Sequence, residues 1–165
     1  MSTRPGKPVS ESRVEMVEIA LPNDANTVGS VLGGKVLHLI DIAGAIAAHR
    51  HSRRAVVTAS IDEVDFRSPI RIGQMILLFA SVNYVARSSM EVGVKVLSED
   101  PLTGERRHTS SAYLTFVALG ADGRPVEVPP VIPESPDEKR RYEEAAVRRA
   151  RRLESLAARR ARQSR

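Results

Sequence analysis

The segment from Lys35 to His49 is apolar on nearly every face and holds one carboxylate, Asp41, near its middle. A helix of that kind is normally buried. A lone helix cannot bury itself, so the rest of the chain must wrap around it. The chain beyond His49 is β-rich. Ala55 to Phe66 contains Val56, Val57 and Ile61, typical strand residues. Ser68-Pro69 and Ile72-Gly73 mark a turn, Met75 to Ala86 reads as a second long strand, and Arg87-Ser88-Ser89 breaks it. Met90 to Leu97 alternates, with Met90, Val92, Val94 and Val96 on one face. Asp100 to Gly104 is a hairpin turn, and Arg107 to Leu119 is the last strand. Ahead of the helix, Val14 to Leu21 reads as a first strand, succeeded by a loop over Pro22 to Asn26 that Gly33 and Gly34 close. Mostly short turns imply antiparallel pairing. The order predicts an α+β chain, one buried helix lying against a curved antiparallel sheet.

Residues 1–12 read as a disordered leader, 13–133 as the folded domain, and 134–165 as a basic, helical tail behind a Pro-rich connector. The net charge of +5 sits in that tail. Up to Pro133 the chain has 14 Lys and Arg against 14 Asp and Glu, and from Glu134 onward 11 against 6. The high pI therefore describes the tail and not the body. Charge alone suits RNA or acidic surfaces. With Tyr142 as its single aromatic residue, however, the tail is poorly equipped for base stacking, which argues against nucleic acid. The absence of cysteine excludes disulfides, thiolate zinc sites and cysteine nucleophiles. Met1 to Ser10 lacks an apolar signal core, and Val36 to Ala48 is too short to span a bilayer. Both point to a cytoplasmic protein without a membrane span.

Asp41 lies about two turns, roughly 10 Å, into the apolar helix. A carboxylate there is costly to desolvate without partners and is a candidate general base. The plainer reading makes it surface at a helix edge. Asn26 could polarise a carbonyl oxygen or simply serve the turn. Gly33 and Gly34 could let backbone amides at a helix start meet developing negative charge, or merely close the loop. Gly29 to Lys35 fits the first part of a phosphate-binding loop, but Val36 stands where the magnesium-binding hydroxyl belongs. His38 shares a helix face with Asp41, which keeps acid–base pairing open. His49 and His51 lack a third ligand for a metal and more simply complement the helix C-terminus. No G-x-S-x-G elbow is present. Arg87, Ser88 and Ser89 suit a phosphate or form a hydrophilic turn.

Together these pieces resemble a family. Asn26-Thr27-Val28-Gly29, Gly33-Gly34, Leu39-Ile40-Asp41 and Ala43-Gly44 resemble the hotdog-fold acyl-CoA thioesterases, and the branch most similar is that of the cytosolic acyl-CoA hydrolases. Val57 to Asp62, with Asp65-Phe66 and Pro69-Ile70, is similar to the family's second strand and turn. Val85 to Met90 and Thr115 to Ala118 are similar to a later turn and the last strand, so the resemblance covers about residues 14–130. It implies a single hotdog, a curved antiparallel sheet wrapped around a central helix. It also implies a homodimer with sites shared across the interface, assembled further as a trimer of dimers. Asp41 is implied as the catalytic carboxylate, Asn26 as its partner from the other protomer, and the Gly34 amide as the group serving the thioester oxygen. Gly33, Thr58, Ser60, Arg87, Ser88 and Ser89 are implied to line the acyl-CoA substrate. No cofactor or metal is expected, since coenzyme A enters as part of the substrate. Acyl chain length is then set by a pocket built partly by the second subunit. Two rival readings are a hotdog acyl-thioester hydratase or dehydratase using His38, and a non-enzymatic binder of acyl-CoA or nucleic acid.

Overall fold

The computed structural model describes residues 3–62 and 64–164. Its elements in chain order are strand β1 (Lys7–Pro8), a 3-10 turn over Val9–Ser12, β2 (Val14–Ile19), a second 3-10 turn over Pro22–Asp24, helix α1 (Gly33–Ser52), β3 (Ala55–Ile61), β4 (Met75–Val85), β5 (Ser89–Glu99), β6 (Arg106–Leu119), β7 (Val131–Ile132) and helix α2 (Pro136–Gln163). Five strands form one antiparallel sheet in the order β2-β4-β5-β6-β3. The sheet curls around α1, as expected for a hotdog fold, and the alternation expected for β5 is real. Met90, Val92 and Val96 are fully buried, with Val94 nearly so.

One stripe of α1 makes the core. Val36, Leu39, Ile40, Ala43, Gly44, Ala47 and Ala48 are buried, at the spacing of one helical face. At Gly44 a Cβ would come within 3.0 Å of the Phe116 ring on β6, so glycine sets how closely helix and sheet approach. The expectation that α1 is buried all round is corrected. His38 and Ile42 are exposed and Asp41 is half-buried, because the sheet covers one side only.

The expected strand over Ala55–Phe66 ends at Ile61. The link from β3 to β4 is a crossing rather than a hairpin, because β3 pairs with β6 while β4 pairs with β2 and β5. Residues along it are held by successive backbone bonds, Arg67 to Thr109, Val31 to Ile70 and Gly73 to Ala20. This brings Phe66 against the start of α1, its ring 3.6 Å from where a Cβ of Gly33 would lie. The hairpin at Asp100–Gly104 forms as expected, with the Asp100 carboxylate accepting the Leu102 amide at 2.8 Å and Gly104 at φ +73.

The expectation of a disordered leader over residues 1–12 is corrected for Lys7–Ser12. β1 pairs with β7 in parallel, Val9 is buried, and the buried Ser12 hydroxyl donates to the Val9 carbonyl and accepts the Val82 amide at 2.9 Å. The Lys7 ammonium donates to the His51 carbonyl at 2.9 Å, satisfying an open carbonyl at the end of α1. His51 itself is fully buried, and its Nε2 donates to the Pro129 carbonyl at 2.8 Å. It ties the helix to the Pro-rich connector, whereas His49 bonds the nearby Arg54 carbonyl. Burial pushes the His51 imidazole below its ordinary 6.5, against the pull of the Pro129 carbonyl.

The tail is docked. Ser135 and Glu138 form a reciprocal cap at the start of α2, and Glu138 also takes the Arg13 guanidinium at 2.7 Å. Burial opposes ionisation of Glu138, but the Glu134 and Ser135 amides and Arg13 hold its carboxyl below the usual 4.5. Ala145 is fully buried, and the Tyr142 ring packs on Tyr84 at 4.9 Å. Arg148 makes a two-pronged ion pair with Glu91, at 2.8 and 3.2 Å, and lies 3.6 Å over the Tyr113 ring. The Glu91 side chain is only 3% exposed, and Arg148 supplies the partner that a buried carboxylate needs.

This packing sets two measurable outcomes. Gly44→Ala forces the Phe116 ring to move and lowers stability by about 1–3 kcal/mol, read as a lower urea midpoint with the fold retained. For His51, the folded imidazole resists protonation that the unfolded chain accepts. Its contribution is therefore complete above about pH 6.5 and is lost as pH falls below that, at up to about 1.4 kcal/mol per pH unit. The Glu138 contribution is lost only below about pH 4.5. Unfolding free energy measured between pH 7.5 and 5 falls in wild type and falls less steeply in His51→Gln.

Candidate active site

The loop before α1 is built around Asn26. Its Oδ1 accepts the Val28 and Ser30 amides, both at 3.0 Å, and its own amide bonds the Ser30 carbonyl at 2.7 Å. The carboxamide oxygen is thus committed to the loop, and the NH2 group is the part left to act as a donor. Gly29, at φ +80, makes the turn possible. The same loop answers the phosphate-loop resemblance of Gly29–Lys35. The strand that leads into it, β2, pairs antiparallel with β4, and Lys35 faces Asp24 at 3.6 Å.

α1 starts at Gly33 behind Leu32, which provides no side-chain cap. The first amides to bond back within the helix are those of Lys35 and Val36, to the Leu32 carbonyl. The amides of Gly33 and Gly34 therefore stand open at the positive end of the helix, with no acidic residue in its first turn. Both glycines are exposed, and a Cβ at Gly34 would meet nothing within 4 Å. Packing within this chain gives no reason for glycine there.

Asp41 lies seven residues further on, about 10 Å along the helix. Its Oδ1 accepts the Thr58 hydroxyl of β3 at 2.7 Å. The sequence grouped Thr58 with the substrate-lining residues, but the structure joins it to Asp41. Ser60 points elsewhere. The register of β3 on β6 shifts between Thr58 and Ser60, which turns Ser60 toward Thr115 on the outer face of the sheet. There it lines an open cleft of ≈ 990 Å³ with Ser89, Tyr113 and the arginines of α2. Arg87 and Ser88 form the turn between β4 and β5. Their carbonyls accept the Val128 and Ala118 amides, and the Arg87 side chain is exposed. The structure brings none of Arg87, Ser88, Ser89 or Ser60 against Asp41 within one chain. Within one chain Asn26 lies in the loop ahead of α1, whereas Asp41 lies about two turns into the helix. His38 is exposed and makes no hydrogen bond to Asp41 among the described residues, and no cluster of three potential metal ligands occurs among them.

The open side of α1 is continuous with the outer edge of β3, which has no strand partner among the described residues. Apolar side chains are exposed here. Val57 is 46% exposed, Ile61 43% and Ile42 36%. Among the described residues, no helix is long and apolar enough to cross a membrane.

A cleft of ≈ 410 Å³ opens beside Asn26 and Gly33, walled by Val31, Val36, Phe66 and Ile70. Sequence reading missed this cleft and the Thr58–Asp41 pair, since both join residues distant in the chain. The exposed hydroxyl on β3 opposite a helical carboxylate was the available signal for the pair.

Known proteins share both sequence and architecture with this one. Residues 28–105 match the thioesterase superfamily. The uncharacterized acyl-CoA thioester hydrolase YkhA of Bacillus subtilis is 45% identical over 128 residues, which span 78% of this chain and 74% of the relative. A crystal structure of an apo-hexameric acyl-CoA thioesterase is 44% identical, covers 93% of this chain and 99% of its own, and superposes with a TM-score of 0.90. The acyl-CoA hydrolase of Staphylococcus aureus, solved with butyryl coenzyme A and coenzyme A, is 39% identical with a TM-score of 0.85, covering 93% of this chain and 96% of its own. That enzyme has also been solved with an aspartate, an asparagine or a threonine replaced by alanine. The chain belongs to the thioesterase superfamily, in the hotdog branch of acyl-CoA thioester hydrolases.

Proposed function

We propose that this protein hydrolyses acyl-CoA to a free carboxylic acid and coenzyme A, with Asp41 as the general base. The observation that carries this reading is the Thr58 hydroxyl donating to Asp41 at 2.7 Å on the side of α1 that the sheet leaves uncovered. Thr58 occupies Oδ1 and orients the carboxylate, which leaves Oδ2 to take a proton from water. The activated water attacks the thioester carbonyl carbon. Negative charge developing on the carbonyl oxygen is met by the open amide of Gly34 and the NH2 group of Asn26. Collapse of the tetrahedral intermediate expels the CoA thiolate, a good leaving group, which picks up the proton. Direct attack by Asp41, giving a mixed anhydride that water then opens, uses the same groups. Coenzyme A is part of the substrate in either route, and neither needs a metal.

The Asn26 that serves Asp41 belongs to a second protomer in this reading. The unpaired edge of β3, its exposed Val57 and Ile61, and the roughly 10 Å between Gly34 and Asp41 within one chain all support a dimer built along β3 and α1. Threefold assembly of such dimers gives a hexamer, the state named for a similar thioesterase. The three alanine variants of the Staphylococcus aureus enzyme have the same spacing in its chain as Asn26, Asp41 and Thr58 have here. In the assembly, Gly33, Ser60, Arg87, Ser88 and Ser89 are the groups proposed to meet the CoA portion.

Release of free thiol from acyl-CoAs of graded chain length tests the reading. Asp41→Ala loses about 10²–10⁴-fold in kcat. Thr58→Val loses about ten- to a hundredfold, while Thr58→Ser, which keeps the hydroxyl, retains most of the rate. Turnover by Asp41→Ala equal to wild type would remove Asp41 from the mechanism, and no turnover on any chain length would remove the hydrolase reading. Sharing of the site between protomers has its own measurement. When unfolded Asp41→Ala and Asn26→Ala chains are mixed and refolded together, mixed dimers hold one intact site and activity reappears. A mixture as inactive as its components would place both residues in one chain's site.

A further inference from the structure

The cleft beside Asn26 and Gly33 is lined by apolar Val31, Val36, Phe66 and Ile70, with Arg67, Ser68, Thr109 and Ser110 among its polar residues. Of these, Ser110 is unusual. From Ser110 onward β6 pairs in regular register with β5, so side chains alternate between the faces of the sheet. Leu114 and Phe116 face Gly44 of α1, which puts Ser110, of the same parity, on the helix side. It is fully buried, and its Oγ has no hydrogen-bond partner among the described residues. Hydroxyls around it do have partners. Thr109 donates to the Val96 carbonyl at 2.9 Å, Ser68 to the His108 carbonyl at 3.0 Å, and Ser111 bonds the His108 ring at 2.8 Å. Three neighbouring hydroxyls are thus satisfied, whereas that of Ser110, in the lining of a cleft next to the candidate catalytic groups, is not. Buried polar groups are ordinarily paired, so an orphan in a binding cleft points to a ligand atom.

We propose that this cleft receives the acyl group and that Ser110 selects acyl chains carrying an oxygen, a hydroxyl or an oxo group, near the thioester. The inference rests on the acyl-CoA hydrolase reading above. A serine hydroxyl can donate to an oxo oxygen and accept from a hydroxyl, so either class satisfies it. An unsubstituted chain fits the apolar walls but leaves the hydroxyl unpaired, which is how a polar group in an apolar site discriminates. Val31, Val36, Phe66 and Ile70 bind both kinds of chain alike, and the Ser68 and Thr109 hydroxyls of the same cleft are already bonded to backbone carbonyls, so among its buried groups the discrimination falls on Ser110.

The test is thiol release from butyryl-CoA, 3-hydroxybutyryl-CoA and 3-oxobutyryl-CoA by the full-length wild type and by Ser110→Ala and Ser110→Cys. Wild type favours at least one oxygenated substrate over butyryl-CoA by about tenfold in kcat/KM. Ser110→Ala brings that ratio close to one while turnover of butyryl-CoA is kept or raised. Ser110→Cys, nearly equal in volume and a weak donor, lies between. An unfolding midpoint for each variant reports that the core is intact, and removing an unpaired buried hydroxyl leaves it level or higher. A ratio unchanged in Ser110→Ala overturns the proposal. So does an equal loss on all three substrates, which would assign the cleft to the part of the substrate they share. No thiol release by wild type from any of them would overturn the hydrolase reading itself, a result distinct from an unselective hydrolase.

Discussion

Everything in this molecule depends on one helix being packed on one side only. α1 presses Val36, Leu39, Ile40 and Ala43 into the curl of the sheet, and Gly44 lets it sit against Phe116. The closeness of that contact fixes which residues of α1 face away from the sheet. His38, Asp41 and Ile42 are therefore left on the open side, next to the unpaired edge of β3. A hydrophobic stripe normally closes a fold. Here it also defines the surface where the fold stays open, and the candidate chemistry lies along that surface.

Two long-range polar arrangements complete the architecture, and they differ in kind. The Thr58–Asp41 bond lies at the open face and orients a single carboxylate for use. The Arg148–Glu91 pair is largely enclosed, stacked on Tyr113, and fastens α2 to the outer face of the sheet. Glu91 must be answered once it is buried, and Arg148 answers it with both prongs of its guanidinium. This explains how a helix with sparse apolar residues docks at all. Val147, Leu153 and Leu156 remain exposed, whereas small Ala145 and the charged pair make the contact.

Legibility tracked sequence distance. The strands β4, β5 and β6, the Asp100 hairpin and the span of α1 could be read locally, because apolar periodicity and turn residues act over a few positions. The ordering of Lys7–Ser12 could not. It depends on backbone pairing with Val131–Ile132 and on the Ser12 hydroxyl meeting Val82, partners far along the chain. The role of His51 was misjudged for the same reason, since its partner is Pro129 and not the end of its own helix. Ser60 is a different case. A one-residue shift in register on β3 reversed its direction, and strand periodicity offers no warning of a bulge.

By itself the sequence determined that one apolar helix would be wrapped by an antiparallel sheet. It also determined that Asp41 would sit within that helix, beyond a loop made by Asn26 and the glycine pair. Both rest on local propensities and on the cost of leaving an apolar helix in water. Only the tertiary structure decided which side of the helix the sheet would cover. That decision set Asp41 beside Thr58, left the Ser110 hydroxyl without a partner among the described residues, and turned Ser60 to the far face. Its physical reason is close packing, the fit of Gly44 to Phe116 and of the α1 stripe to the curl of the sheet, which no single segment of the chain contains.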